Sequence, residues 1–245
     1  MTWLVLCEPY DAAAMWAYRG LASRGLEPLE LVDGGTAAAL AGRCHEVDGY
    51  GNTRADLVLP DGRTIRGDDV IGVLNRVVSA VPSHVVRATR SDREYAAQEF
   101  TALFLSWLRA LPCVVLNPAT PLGLSGQWRY PAEWAVLAAR AGFATPPYRR
   151  SSTEAVEESR RTVGGDAPAE RTVFAVADEV VGAPDEGSAG RCRELARLAE
   201  TPLLGISMSR RAEGWTFLAA TPHPDLSAGG DPLLDALARA LHVHR

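Results

Sequence analysis

Near the end of the chain, His223 and Asp225 stand two residues apart in "WTFLAATPHPDL", where an apolar strand runs out into prolines. An imidazole that titrates near neutrality beside a carboxylate is material for general acid-base chemistry, so both are candidate catalytic residues. Two other apolar runs end in the same polar type. "VIGVLNR" delivers Asn75 and Arg76, and "VVLNPATPLGLSGQWR" delivers Asn117 followed by Trp128 and Arg129. An arginine can clamp a carboxylate or phosphate through two parallel hydrogen bonds, and a loop tryptophan can wall a cleft or anchor a partner. Asn75, Arg76, Asn117, Trp128 and Arg129, with Glu99 on a long helix, are therefore candidate substrate-binding residues. His84 is a further candidate acid or base. Each has a plainer competing role: a turn-capping asparagine, a solvated arginine, a histidine held in a turn, or a glutamate on a wet helix face.

No metal set is legible. Cysteines 7, 44, 113 and 192 form no CxxC pair and have no histidine at ligand spacing, which argues against zinc and against a disulfide framework. A reduced, cytoplasmic setting is the expectation. All 25 basic residues are arginine, so Schiff-base chemistry, a phosphate-binding P-loop lysine and a lysine base are excluded. The net charge of -5 is spread along the chain without a basic block, which argues against a nucleic-acid partner. No apolar run approaches the roughly 20 residues of a membrane span. With 47% hydrophobic residues, the 245-residue chain can bury a large core. GxGxxG, P-loop, HExxH and GxSxG motifs are all absent.

These residues need elements to position them. Strand (2–7), helix (11–25, opened by Asp11) and strand (28–32) give a β-α-β start. A hairpin turning on Pro60, Asp61 and Gly62 follows, then a buried strand at 70–75 and a helix over 92–111. A strand at 113–117 and a helix at 131–141 complete this half. The alternation predicts a mostly parallel sheet with ligands outside the carboxyl ends of its strands. Residues 151–171 are charged and small and read as a linker. Beyond them the pattern predicts a hairpin turning at Asp178 and Glu179, a helix, two antiparallel strands and a closing helix, a different α+β unit. The expected division is 1–118, 119–171 and 172–245.

The order of elements, the outline "VVLNPATPLGLSGQWRYPAEWAVLAARAGFATPPYR" and the closing "LLGISMSRRAEGWTFLAATPHPDL" resemble the ATP-grasp superfamily, in particular RimK-like carboxylate-amine and peptide ligases. The resemblance covers roughly residues 70–241. It implies an α/β chain: a Rossmann-like preATP-grasp domain followed by an α+β ATP-grasp-like core half. The family's chemistry does not carry over residue by residue. Its acidic residue in "GiDf" falls on Ser207, the metal-binding Glu of "flEvN" on Ala219, and the Asn after it on Thr221. Of its two phosphate lysines, one falls at about Pro131, with Arg129 nearby, and the other has no counterpart. Only about 25 residues stand where the family inserts its nucleotide lid.

The favoured expectation is a degenerate ATP-grasp-like protein without nucleotide or metal cofactor. It would bind a small molecule or peptide, or partner a biosynthetic enzyme or a second copy of itself. The alternatives are an ATP-independent enzyme using His, Arg and Asn groups, and a true ligase with a rebuilt site. The enzyme reading requires His223, Arg76 and Arg129 in one pocket.

Overall fold

The computed structural model describes residues 1–41, 45–51, 53–59, 61–82, 85, 87, 89–146, 170–212 and 214–242. The linker at 151–171 and His84 lie outside them, except for the linker's last two residues.

Strand β1 (Thr2–Cys7) sends alternate side chains to opposite faces, as extended backbone must, and both faces are covered. Leu4 and Leu6 enter one core, while Trp3, Val5 and Cys7 enter another. Helix α1 (Ala12–Ala22) begins at Asp11, whose carboxylate accepts from the Ala14 N–H at 2.9 Å, and Gly25 turns the chain at φ +84° just past its end. β2 (Leu29–Asp33) returns parallel to β1.

Helix α2 (Gly34–Ala41) follows, a segment for which the sequence pattern gave no element. The glycines are there for space. A Cβ on Gly34 would lie 2.5 Å from Val77 Cγ1 and 2.8 Å from the Ser79 carbonyl oxygen. Asp33 Oδ1 supplies the opening hydrogen bond, from the Thr36 N–H at 2.9 Å.

Short pairs follow: β3 (His45–Val47) with β4 (Thr53–Ala55), and β5 (Leu57–Val58) with β6 (Thr64–Ile65), the second pair being the expected hairpin. β7 (Val70–Asn75), α3 (Arg90–Ala110) and β8 (Val114–Leu116) complete a parallel sheet of order β2-β1-β7-β8. α2 and α3 cover one face through Ala37, Ala38, Phe104, Trp107 and Leu108.

After α4 (Pro131–Arg140), strands β9 (Glu170–Val176) and β10 (Glu179–Val181), helix α5 (Glu186–Leu198) and strands β11 (Leu203–Arg211) and β12 (Gly214–Thr221) build the second unit. Its sheet is antiparallel, ordered β10-β9-β11-β12. Val173, Ala175, Leu204, Ile206 and Met208 face α4 and α5, whereas Phe174, Val176 and Leu203 face the core under α1. The closing helix α6 (Gly230–Leu241) lies between the sheets and buries Leu233, Leu234 and Leu237. Its last turn seats on β1 and β7. The Trp3 indole N–H donates to the Leu241 carbonyl at 3.2 Å, and a Cβ on Gly72 would come within 2.7 Å of that oxygen.

Candidate functional site

In the parallel sheet, β1 connects to β2 on one side, and the chain then crosses to β7 on the other. The carboxyl ends of β1 and β7 are thus the switch point where open α/β sheets place ligands. Here the structure brings Asp11, Arg76 and His223 together.

Arg76, immediately after β7, is 2% exposed, and its guanidinium is engaged within the chain. Its Nε–H donates to Asp11 Oδ2 at 2.7 Å and its Nη1–H to the Pro224 carbonyl at 2.9 Å. Its Nη2 lies 3.3 Å from Asp11 Oδ1 and 3.3 Å from His223 Nδ1. Since an arginine N–H only donates, His223 Nδ1 accepts, and the ring proton sits on Nε2. That atom lies 3.2 Å from the Arg76 carbonyl and 3.4 Å from Asp11 Oδ2. Both imidazole nitrogens are thus spent on holding the "HPD" turn to the sheet. A second close fit fixes the turn: Gly205 lacks the Cβ that would sit 2.5 Å from Pro224 Cβ.

Burial and then the Arg76 charge push His223 below its ordinary pKa. Burial alone would raise Asp11, but the hydrogen bonds from Arg76 and the Ala14 N–H outweigh it and hold the carboxyl below its usual range. An unfolded His near 6.5 takes up its proton before the folded one does, so stability falls as pH drops below about 6.5 and through the folded value. Asp11 adds loss in the same direction below about 3.8. We expect urea midpoints of the native chain to decline between pH 6.5 and 5, and His223→Gln to flatten that segment.

Asp225 does not join His223. It is exposed, and its Oδ1 accepts from the Ser227 N–H at 3.0 Å and hydroxyl at 2.7 Å, capping the short turn Leu226–Gly229. The carboxylate near His223 is Asp11. Asp11 had shown itself in sequence as a helix cap and nothing more.

Asn75 and Arg76 do share a strand end with Asn117 on the neighbouring strand, but the asparagines present no free group. Asn75 is fully buried, and its Nδ2 donates to the carbonyls of Asn117 at 2.7 Å and Leu124 at 2.6 Å. Asn117, also fully buried and at φ +64°, donates to the carbonyls of Leu203 at 2.8 Å and Pro222 at 2.6 Å and accepts from the Leu203 N–H at 2.9 Å. It joins the parallel sheet to the antiparallel one. Glu99 is exposed on α3, a helix that packs on α2 and β4.

Trp128 and Arg129 line a separate cavity of about 280 Å³ with Pro131, Trp134 and residues 218–222 of β12 and its exit. Trp128 is 56% exposed and meets Tyr130 edge-on at 4.3 Å. Arg129 lies over the Trp134 ring, 5.3 Å from its centroid. It hydrogen-bonds Gln127 Oε1 at 3.0 Å and has no carboxylate at ion-pair distance among the described residues. Burial lowers its pKa against the more distant fields of Glu133 and Glu200. His223 and Arg76 line another, open depression with Asp225, so the three groups required for the enzyme reading do not share one pocket.

The strands that bear on a metal are β11 and β12. Ser207 and Ala219 are register partners, and the strand bulges beside them at Leu218. Ala219 and Thr221 are exposed. Magnesium beside nucleotide needs hard oxygen donors, chiefly carboxylates. This pair offers one hydroxyl and a methyl group, so the residues do not fit that ion. Among the described residues no cluster of three His, Cys, Asp or Glu side chains could hold a metal. Nor, among them, is any helix long and apolar enough to cross a membrane.

No family model matches the sequence, and no curated protein matches it in sequence. Solved structures do match in fold. The macrocyclase MdnC bound with precursor peptide MdnA, from Microcystis aeruginosa MRC, superposes with TM-score 0.73 at 12% identity, covering 98% of this chain and 99% of that one. A Chryseobacterium gregarium RiPP-associated ATP-grasp ligase in complex with ADP and a leader and core peptide gives 0.68 at 11% identity, covering 98% and 96%. The ATP-grasp ligase PsnB, complexed with a phosphomimetic variant of its minimal precursor, Mg and ADP, gives 0.65 at 16% identity, covering 98% of each chain. The chain has a mixed α/β fold similar to that of ATP-grasp ligases.

Proposed function

We propose that this chain is an ATP-grasp-like protein that works without nucleotide, as a substrate-binding or partner subunit in a peptide-modification pathway. In this reading residues 1–118 are a Rossmann-like preATP-grasp domain, 119–171 a connection without the nucleotide lid, and 172–245 the remaining half of the core. The observation that carries it is the pair Ser207 and Ala219, facing each other across β11 and β12 where the resembled ligases place carboxylates. The complexes of similar fold with precursor peptides support a peptide as the bound partner. The enzyme alternative centred on His223 is disfavoured by an imidazole whose two nitrogens are already engaged.

Restoring the missing donors tests the reading. Opposed residues on antiparallel strands hold their Cβ atoms about 5 Å apart, close enough for two carboxylates to share one cation. Calorimetry with Mn²⁺ is expected to give no saturable heat for the native chain and measurable binding for Ser207→Asp with Ala219→Glu. Equal Mn²⁺ binding by both proteins would remove the carrying observation.

A further inference from the structure

β12 ends the antiparallel sheet, and among the described residues no strand lies along the other side of its backbone. Near its start the edge is closed, where the Phe217 N–H donates to the Ala144 carbonyl at 2.9 Å. From Leu218 to Thr221 the edge instead borders the Arg129 cavity. Such an edge is a template for pairing with another extended chain, which natural proteins usually cover or blunt with charge. Here Leu218 to Thr221 carries no charge and no proline. Two side-chain features face the same cavity. Arg129 is half-buried, stacked on Trp134, and lacks a carboxylate partner among the described residues. Trp128, which also lines the cavity, is 56% exposed, meets the Tyr130 ring edge-on at 4.3 Å, and its backbone N–H donates to the Leu122 carbonyl at 3.1 Å.

We propose that an extended peptide from another chain adds as a strand to the Leu218–Thr221 edge, setting an acidic side chain on Arg129 and an apolar one on Trp128. The occupant is a peptide because the edge offers a row of backbone groups. It is acidic because Arg129, the cation lining the cavity among the described residues, has no carboxylate at ion-pair distance among them, and a charge-assisted pair is strongest where water is partly excluded. It is partly apolar because residues on one face of a strand recur about every 7 Å, which lets one side chain reach Arg129 and its neighbour reach the exposed indole. The inference rests on the peptide-binding reading above.

The test uses the native chain as bait for a displayed library of random heptapeptides, with recovered peptides synthesised and titrated by fluorescence anisotropy. Recovered sequences are expected to carry an acidic residue. Arg129→Met in the protein, or Glu→Gln in the peptide, is expected to weaken binding by about tenfold or more. Methylating alternate peptide amides should cost as much, and backbone amide shifts should concentrate at Leu218–Thr221. Ala219→Glu, which puts a carboxylate beside the same cavity, should block acidic peptides and decides the matter if Arg129→Met alters the fold. No recovered peptide, or peptides indifferent to both variants, would overturn the docking mode. Peptides bound elsewhere leave the nucleotide-independent reading standing, whereas that reading fails on Mg·ATP binding whatever the library yields.

Discussion

Replacing Arg76 by Met is expected to destabilise the protein by about 3–5 kcal/mol, the range for removing one partner of a buried ion pair. The side chains of Arg76 and Asp11 are 3% and 7% exposed, so the remaining carboxylate would be left nearly dry. The loss also frees the Pro224 carbonyl and His223 Nδ1, so the turn behind β12 comes away from the sheet. Two controls separate these terms. Arg76→Met with Asp11→Asn should recover part of the loss, because asparagine still caps α1 and no charge is stranded. In Arg76→Met alone, burial would push the Asp11 carboxyl up, so the deficit against the native chain should shrink as pH falls and the carboxyl takes a proton. Urea denaturation at pH 7 and pH 4 reads both effects. A midpoint unchanged at pH 7 would show that the pair holds nothing.

The second large effect is expected at Asn117. Its side chain makes three hydrogen bonds to backbone groups of Leu203 and Pro222, and its backbone sits at φ +64°, where a Cβ is strained. Asn117→Ala leaves buried carbonyls and an N–H without partners and keeps the strain, so a cost of about 3–4 kcal/mol is expected. Asn117→Gly loses the same bonds but relaxes the backbone, and should be about 1 kcal/mol less damaging. Asn117→Asp replaces two donors with a carboxylate oxygen facing carbonyls, and should be the worst of the three. Thermal denaturation of the series gives the order. An alanine variant as stable as the native chain would mean that Asn117 does not join the sheets.

Both effects fall on residues whose types had suggested a ligand site. Strand-end Asn75, Arg76 and Asn117 were legible as a convergent polar edge, because strand and helix periodicity place the carboxyl ends of β7 and β8 side by side. The sequence did not show that their partners are main-chain groups up to 148 residues away, such as the Pro224 carbonyl bound by Arg76. Periodicity reports which face is buried and carries no information on which distant carbonyl closes a hydrogen bond. Asp11 was missed in the cluster for the same reason. It satisfied the local pattern of a helix cap, and its second bond crosses 65 residues to Arg76. Helix α2 was hidden because its glycines answer to close packing under Val77 and Ser79, whereas glycine locally signals a turn. Elements with strong local signals were readable: β1 from its apolar run, α3 from its spacing, and α1 from its aspartate cap. The substitutions at Ser207 and Ala219 were readable only beside the resembled pattern, and the register of β11 with β12 puts them face to face.

We propose that an ATP-grasp-like fold persists here without the means to hold metal and nucleotide. Isothermal titration of Mg·ATP into the native chain tests it most directly. The account predicts no saturable heat up to millimolar nucleotide, with or without excess Mg²⁺, and saturable, Mg²⁺-dependent binding at one site per chain would contradict it.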